Sequence, residues 1–167
     1  MNLHSILVVD DEEMILKAIT RALRHEPYNV FTAPGGEEGL LVLEGREVDL
    51  VVSDYSMPRM NGVEFLQKVK SRHPNTITIM LTGNKEIDVA VQAINDAGVY
   101  KFILKPWDDE DLKVTLRRAL EMLDLVRERD ALRETVKARD AILRNLEKEH
   151  PGITRVEKDA DGYLILE

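Results

Sequence analysis

The chain has no cysteine among its 167 residues, which excludes disulfide bonds and thiolate metal sites. No apolar run approaches the length that spans a bilayer, and the first residues lack the charged, apolar, small-residue order of a secretory signal. A soluble cytoplasmic protein with no membrane insertion is expected. Concentrated positive charge is also missing. Lys and Arg total 23 against 31 Asp and Glu, a net charge of −8, with both signs spread along the chain. Nothing here resembles the basic footprint of a nucleic-acid binder, so no direct contact with nucleic acid is expected. There is no internal repeat and no low-complexity tract. With 44% hydrophobic residues, the length suits one well-buried core plus an appendage.

Five short apolar, β-rich runs alternate with segments of helical period: SILVVD, YNVFTA, DLVVSD, TITIMLT and VYKFILK. Between them lie Glu12 to His25, Glu37 to Leu43, Gly62 to Arg72 and Ile87 to Ala97. Apolar residues recur there at spacings of three and four, as in Val63, Leu66 and Val69. This alternation predicts a doubly wound α/β domain over about residues 1 to 121, a five-stranded parallel sheet with helices on both faces. In such sheets the working crevice lies at the carboxyl ends of the strands.

From Asp108 to His150 the sequence has neither glycine nor proline, and its DDED start suits a helix N-terminus. Within this long helix Met122, Leu125, Arg129, Leu132, Val136, Arg139, Leu143 and Leu146 follow a three-four spacing. Such a seam cannot be buried on a domain already closed, so residues 122–149 are expected to form a coiled coil and a homodimer. The alternative is a solvated, salt-bridged helix, which the many opposite charges at i, i+4 suit; the heptad pattern puts the coiled coil ahead. Residues 150–167, with alternation on either side of a DADG turn signal, suggest a short terminal hairpin or tail.

Strand one runs into Asp10, Asp11, Glu12 and Glu13; strand three ends in Asp54, strand four in Thr82, and strand five in Lys105 before Pro106. Singly, each has an ordinary explanation as a cap or turn residue. Jointly they converge on one rim. Three carboxylates that close need a hard cation, and Mg²⁺ takes a few carboxylate oxygens plus waters and phosphate oxygens. Lys105 adds a mobile positive charge and Thr82 a hydroxyl. These are the parts of a phosphoryl-transfer site with a carboxylate nucleophile. Glu12 and Glu13 start the first helix, whose dipole favours them.

The pieces VVDDEE, LVVSDYSMPRMNGVEFL, IMLTGN and YKFILKPW, in that order, make the sequence resemble the receiver domains of two-component response regulators, from about residue 3 to about 122. The resemblance implies the flavodoxin-like strand order 2-1-3-4-5, with the fifth helix extended into the long C-terminal one. It implies that Asp54 accepts a phosphoryl group from a sensor histidine kinase or phosphotransfer protein. Asp11 and Asp54 would bind Mg²⁺, with Asp10 assisting through water and the backbone carbonyl of Ser56 as a further ligand. Thr82 and Lys105 would bond the phosphoryl group, Phe102 would be the switch aromatic, and Pro106 would follow a cis peptide. Ser56 and Asn84 occupy positions that tune how long the phosphate lasts.

For the output, the residues after 122 hold no helix-turn-helix and no further catalytic cluster. The expectation is signalling by protein contact, through the face made by the fourth helix, fifth strand and fifth helix and through the coiled coil. The alternative is a receiver fragment of a longer regulator whose effector domain follows, against which the complete hairpin pattern weighs. A phosphatase of the haloacid-dehalogenase type would need a D-x-D pattern where the chain has DDEE, and a flavodoxin-like cofactor binder would need a phosphate loop after strand one. Both patterns are missing. The chain is thus expected not to be an enzyme beyond its own phosphorylation and dephosphorylation.

Overall fold

A computed structural model of the chain describes residues 3–83 and 97–154. Five strands, β1 (His4–Val9), β2 (Tyr28–Ala33), β3 (Leu50–Asp54), β4 (Ile77–Gly83) and β5 (Lys101–Lys105), form one parallel sheet in the order β2-β1-β3-β4-β5. The described helices are α1 (Glu13–Ala22), α2 (Gly36–Gly45), α3 (Gly62–Arg72) and α4 (Asp109–Glu149). The last is the one counted fifth in the sequence. The helix expected over Ile87 to Ala97 lies outside the described residues except for Ala97, and the expected hairpin lies outside them beyond Thr154. No helix among the described residues is long and apolar enough to cross a membrane. The chain divides into two compact units, Met1–Asp124 and Leu125–Glu167.

The apolar runs of β1, β3 and β4 are continuous because these central strands are covered on both sides, whereas the edge strands β2 and β5 keep exposed residues. Successive residues point to opposite faces, and the core splits accordingly. Ile6, Val8, Leu50, Val52, Ile79 and Leu81 pack with Leu16 and Ile19 of α1 and with Leu112, Leu116 and Leu120 of α4. Leu7, Val9, Val51 and Met80 pack with Leu43 of α2 and Phe65, Leu66 and Val69 of α3. Leu112, Leu116, Leu120 and Leu123 of α4 recur at three and four, which gives that helix its buried stripe. Beyond Leu123 no residue of α4 is buried.

Helix ends follow local chemistry. The expected stretch from Glu12 to His25 is helical only over Glu13–Ala22. The Leu23 N–H still reaches the Ile19 carbonyl (3.0 Å), but Arg24 bonds back to Arg21 (3.3 Å) and Glu26 to Leu23 (3.0 Å). Pro27 lies just ahead, and the residue before a proline is biased away from the α region. The α4 helix is capped by Asp108, whose Oδ1 accepts from the N–H groups of Glu110 (2.9 Å) and Asp111 (3.1 Å). At α3 the Asn61 side chain accepts from the Glu64 N–H (2.9 Å), and the Glu64 carboxylate accepts from the Asn61 N–H (3.3 Å). This reciprocal pair is a capping box.

Gly62 opens α3 directly beneath the end of β3. Its N–H donates to the Tyr55 carbonyl (2.8 Å), and a Cβ at this position would overlap the Asp54 carbonyl oxygen and press on the Tyr55 backbone. Neither neighbour is a flexible side-chain tip, so the backbone carrying Asp54 would have to move. Gly62→Ala is therefore expected to destabilise the protein by about 1–3 kcal/mol, the range of overpacking in a close-packed site. A lowered urea midpoint at unchanged slope would register it.

Candidate functional site: a carboxylate cluster bridged by lysine

The register of the ladder decides which strand ends meet. Val9 lies beside Ser53, so Asp10 and Asp54 follow as neighbours across β1 and β3. Asp54 lies beside Leu81, one residue short of Thr82, and Gly83 lies beside Lys105. Parallel strands of matched length thus deliver four residues, distant in sequence, to one rim.

Asp10 is fully buried, Asp54 is 5% exposed, and Asp11 faces solvent. The Lys105 ammonium donates to Asp54 Oδ1 (2.8 Å) and to Asp10 Oδ2 (3.0 Å), bridging the two buried carboxylates. Asp10 Oδ1 accepts from the Glu12 N–H (2.8 Å), so this carboxylate also fixes the turn into α1. Burial dominates at Asp54 and pushes its carboxyl up to about 6; the Lys105 bond opposes this, while Asp10 and Asp11 add to it. For Lys105, burial alone would lower the ammonium, but its bonds to Asp54 and Asp10 outweigh burial and raise it.

One lysine cannot balance three carboxylates. Oxygens of Asp10, Asp11 and Asp54 lie within 4.8 Å of one another, an arrangement that could hold a metal ion. The donor set is all oxygen and anionic, with one member open to water. That fits a hard divalent cation such as Mg²⁺, which keeps part of its hydration.

The remaining expected site residues fall around this cluster. Thr82 is buried, and its hydroxyl donates to the Gly83 carbonyl (3.3 Å). Phe102 is half-buried against the core on the α2 and α3 side of the sheet. Ser56 is exposed, two residues beyond Asp54, and Asn84 lies outside the described residues. The Lys105–Pro106 peptide is cis.

Three supports escaped sequence reasoning. The buried Ser53 hydroxyl donates to the Asp54 carbonyl (3.0 Å). Gly62 makes room beneath the same carbonyl. Arg59, at φ 66°, bonds Glu37 (3.1 Å) and Glu38 (2.8 Å), tying the loop after β3 to the first turn of α2. Only the NG dipeptide before a helical pattern carried any advance signal of these.

The raised Asp54 carboxyl has a stability consequence. Folded Asp54 holds its proton to higher pH than the ordinary 3.8, so its contribution falls as pH rises from about 4 through about 6. In protein stripped of divalent cations, Asp54→Asn is expected to be more stable than the native chain at pH 8, by up to about 3 kcal/mol. The gap should close towards pH 4. Urea unfolding at the two pH values in the presence of a chelator checks it.

The same arrangement has known counterparts. The family model for the response regulator receiver domain matches residues 6–117. The hydrogenase transcriptional regulatory protein HoxA of Bradyrhizobium diazoefficiens is 30% identical over 160 residues, covering 96% of this chain and 33% of that protein. The transcriptional regulatory protein GlrR of Escherichia coli K12 is 39% identical over 116 residues, covering 70% of this chain and 26% of that protein. The chain thus spans a third or less of these curated relatives. Among solved structures, the signal receiver domain of an HD domain-containing protein from Pseudomonas fluorescens Pf-5 superposes with a TM-score of 0.71 at 36% identity, covering 74% of this chain and 98% of that one. NtrX from Brucella abortus superposes with a TM-score of 0.73 at 34% identity, covering 78% of this chain and 30% of that one. From the sheet order, the lysine-bridged carboxylates and these matches together, the chain belongs to the response regulator receiver domain family.

Proposed function

We propose that Asp54 is the phosphoacceptor of a two-component signalling protein, taking a phosphoryl group from a sensor histidine kinase, a phosphotransfer protein or a small acyl phosphate. The observation that carries this reading is the Lys105 bridge, which holds the buried Asp54 carboxylate beside Asp10 at the carboxyl edge of the sheet. An Asp54 oxygen forms the new bond to phosphorus while the phosphorus–nitrogen bond of phosphohistidine breaks. Its electron pair leaves with the imidazole nitrogen, which takes up a proton. Water later cleaves the mixed anhydride, releasing inorganic phosphate and restoring the carboxylate. Above about pH 6 Asp54 is ionised and competent to attack.

Asp11 and Asp54, with Asp10 and the Ser56 carbonyl, would hold Mg²⁺, which when bound neutralises charge on the transferring group. The phosphorylated side chain carries nearly two negative charges and new acceptor oxygens. Lys105 and Thr82 then turn towards it, and Phe102 follows into the space released, a local electrostatic event biasing a two-state element. Ser56 and Asn84 set the phosphate lifetime. The chain works in the cytoplasm, as a signalling domain that catalyses only its own phosphorylation and dephosphorylation. Residues 1–121 are the receiver, 122–149 a coiled coil that makes a homodimer, and 150–167 a hairpin or tail. The output passes by protein contact, through the face made by β5, α4 and the helix expected over Ile87 to Ala97.

A second reading, in which the chain is the receiver part of a longer regulator with an effector domain beyond it, is favoured by one observation: it spans 33% of HoxA and 26% of GlrR. Either reading predicts the same labelling. With Mg²⁺ and radiolabelled acetyl phosphate, the native chain should incorporate about one phosphate per chain. Asp54→Ala should incorporate none while keeping its far-ultraviolet dichroism, since a carboxylate among like charges is not a packing residue. Labelling of Asp54→Ala at the native stoichiometry would overturn the assignment. Continuous phosphate release over many turnovers would point to a phosphatase instead.

A further inference from the structure

The loop from Tyr55 to Asn61 carries the backbone between the buried Asp54 and α3, and its residues divide by what they touch. Met57 and Met60 are buried, and Met60 lies against Gly36 at the start of α2. Pro58 and Arg59 face solvent between them. Arg59 sits at φ 66°, the only residue other than glycine at positive φ among the described residues. A side chain makes that conformation uncommon, and it persists where the surroundings hold it.

What holds it is α2. The Arg59 guanidinium donates through one nitrogen to Glu37 Oε2 (3.1 Å) and through the other to Glu38 Oε1 (2.8 Å). Both carboxylates belong to the first turn of that helix, where its dipole favours them. The helix is in turn tied to the carboxylate rim, because it follows β2, whose last residue, Ala33, accepts from the Asp10 N–H (3.2 Å). The far end of the loop is fixed separately, by Gly62 donating to the Tyr55 carbonyl and by the capping box at Asn61. Two exposed ion pairs add little to overall stability. Two donors on neighbouring carboxylates of one helix nevertheless fix the direction of the residue that carries them.

We propose that Arg59 is a positioning residue for the metal site: by holding its own left-handed backbone against α2, it presets the loop segment, three residues upstream, whose Ser56 carbonyl would be a Mg²⁺ ligand. This rests on the Mg²⁺ reading of the Asp54 site and names what keeps one ligand in place before the cation arrives. The gain is preorganisation. A loop free to leave the left-handed state at Arg59 turns the peptide planes between Ser56 and Arg59, and cation binding then bears the cost of ordering them. Charge alone argues for the opposite effect. As a bare cation Arg59 disfavours a second cation on the same domain, so its removal would tighten Mg²⁺ binding. Loss of the positioning contact weakens it, and the sign separates the two.

The test is Mg²⁺ titration of the full cation-free chain, followed by the fluorescence of its single tryptophan, Trp107, two residues beyond Lys105, and checked by calorimetry. Arg59→Ala keeps a Cβ in the left-handed region and loses both ion pairs. It should raise the Mg²⁺ dissociation constant roughly three- to tenfold, the span of two exposed ion pairs. Arg59→Gly loses the same pairs but also the Cβ, so it should bind Mg²⁺ more tightly than Arg59→Ala. Urea midpoints in the presence of a chelator report the fold alongside. An unchanged or lowered dissociation constant in Arg59→Ala overturns the proposal, and a shifted midpoint at unchanged affinity does so by showing a purely structural role. Equal weakening in both variants overturns the part given to the left-handed backbone. A native chain that binds no Mg²⁺ overturns the metal reading itself, and the proposal with it.

Discussion

Three carboxylates share one rim with a single lysine, and the rest of the site is arranged around that imbalance. Asp10 and Asp54 are buried, so solvent dilutes their repulsion only weakly. Lys105 answers both at hydrogen-bond distance, and Asp11 stands in water beside them. The folded protein thereby holds a high-energy arrangement whose relief comes from protonation, a cation, or chemistry at Asp54. Burial first, with the charges of Asp10 and Asp11 adding to it, raises the Asp54 carboxyl to about 6 against the opposing Lys105 bond. The same burial that costs stability keeps the nucleophile poorly solvated and aimed at the strand end.

What holds Asp54 in this position is mostly backbone. Its carbonyl receives the Ser53 hydroxyl, and the close approach of Gly62 lets α3 begin beneath it. The loop between is pinned at one end by the Asn61 and Glu64 capping box and at its middle by Arg59 reaching Glu37 and Glu38. The Arg59 contacts are exposed ion pairs, individually worth little. Their effect is to select one loop conformation, including a left-handed residue, rather than to add bulk stability.

The second unit follows a different logic. Its described apolar residues stay exposed or half-buried, and charged residues interrupt the stripe they form. Lys137 pairs with Glu134 away from the stripe, whereas Arg129, which interrupts it, pairs with the adjacent Asp130. Arginine at seam positions weakens association through an apolar stripe.

Most of the sheet was legible in advance, since alternating apolar runs and helical periods leave few arrangements of five parallel strands with covered faces, and the residues ending each run named the rim. The residues ending VVDD, LVVSD and KFILK, namely Asp10, Asp11, Asp54 and Lys105, do lie together at that rim, because strand-end position is a property of local pattern. The end of α1 was read too far, because Leu23 to His25 keep helical composition while their hydrogen bonds already tighten towards Pro27. Ser53, Gly62 and Arg59 were not legible as supports, because their role depends on which backbone atom or helix end lies across a loop. By itself, the sequence determined which side chains could meet, through periodicity and spacing. Only the tertiary structure decided how far each is buried, which oxygen Lys105 bridges and how high Asp54 holds its proton, because those depend on distances across strands that no local pattern contains.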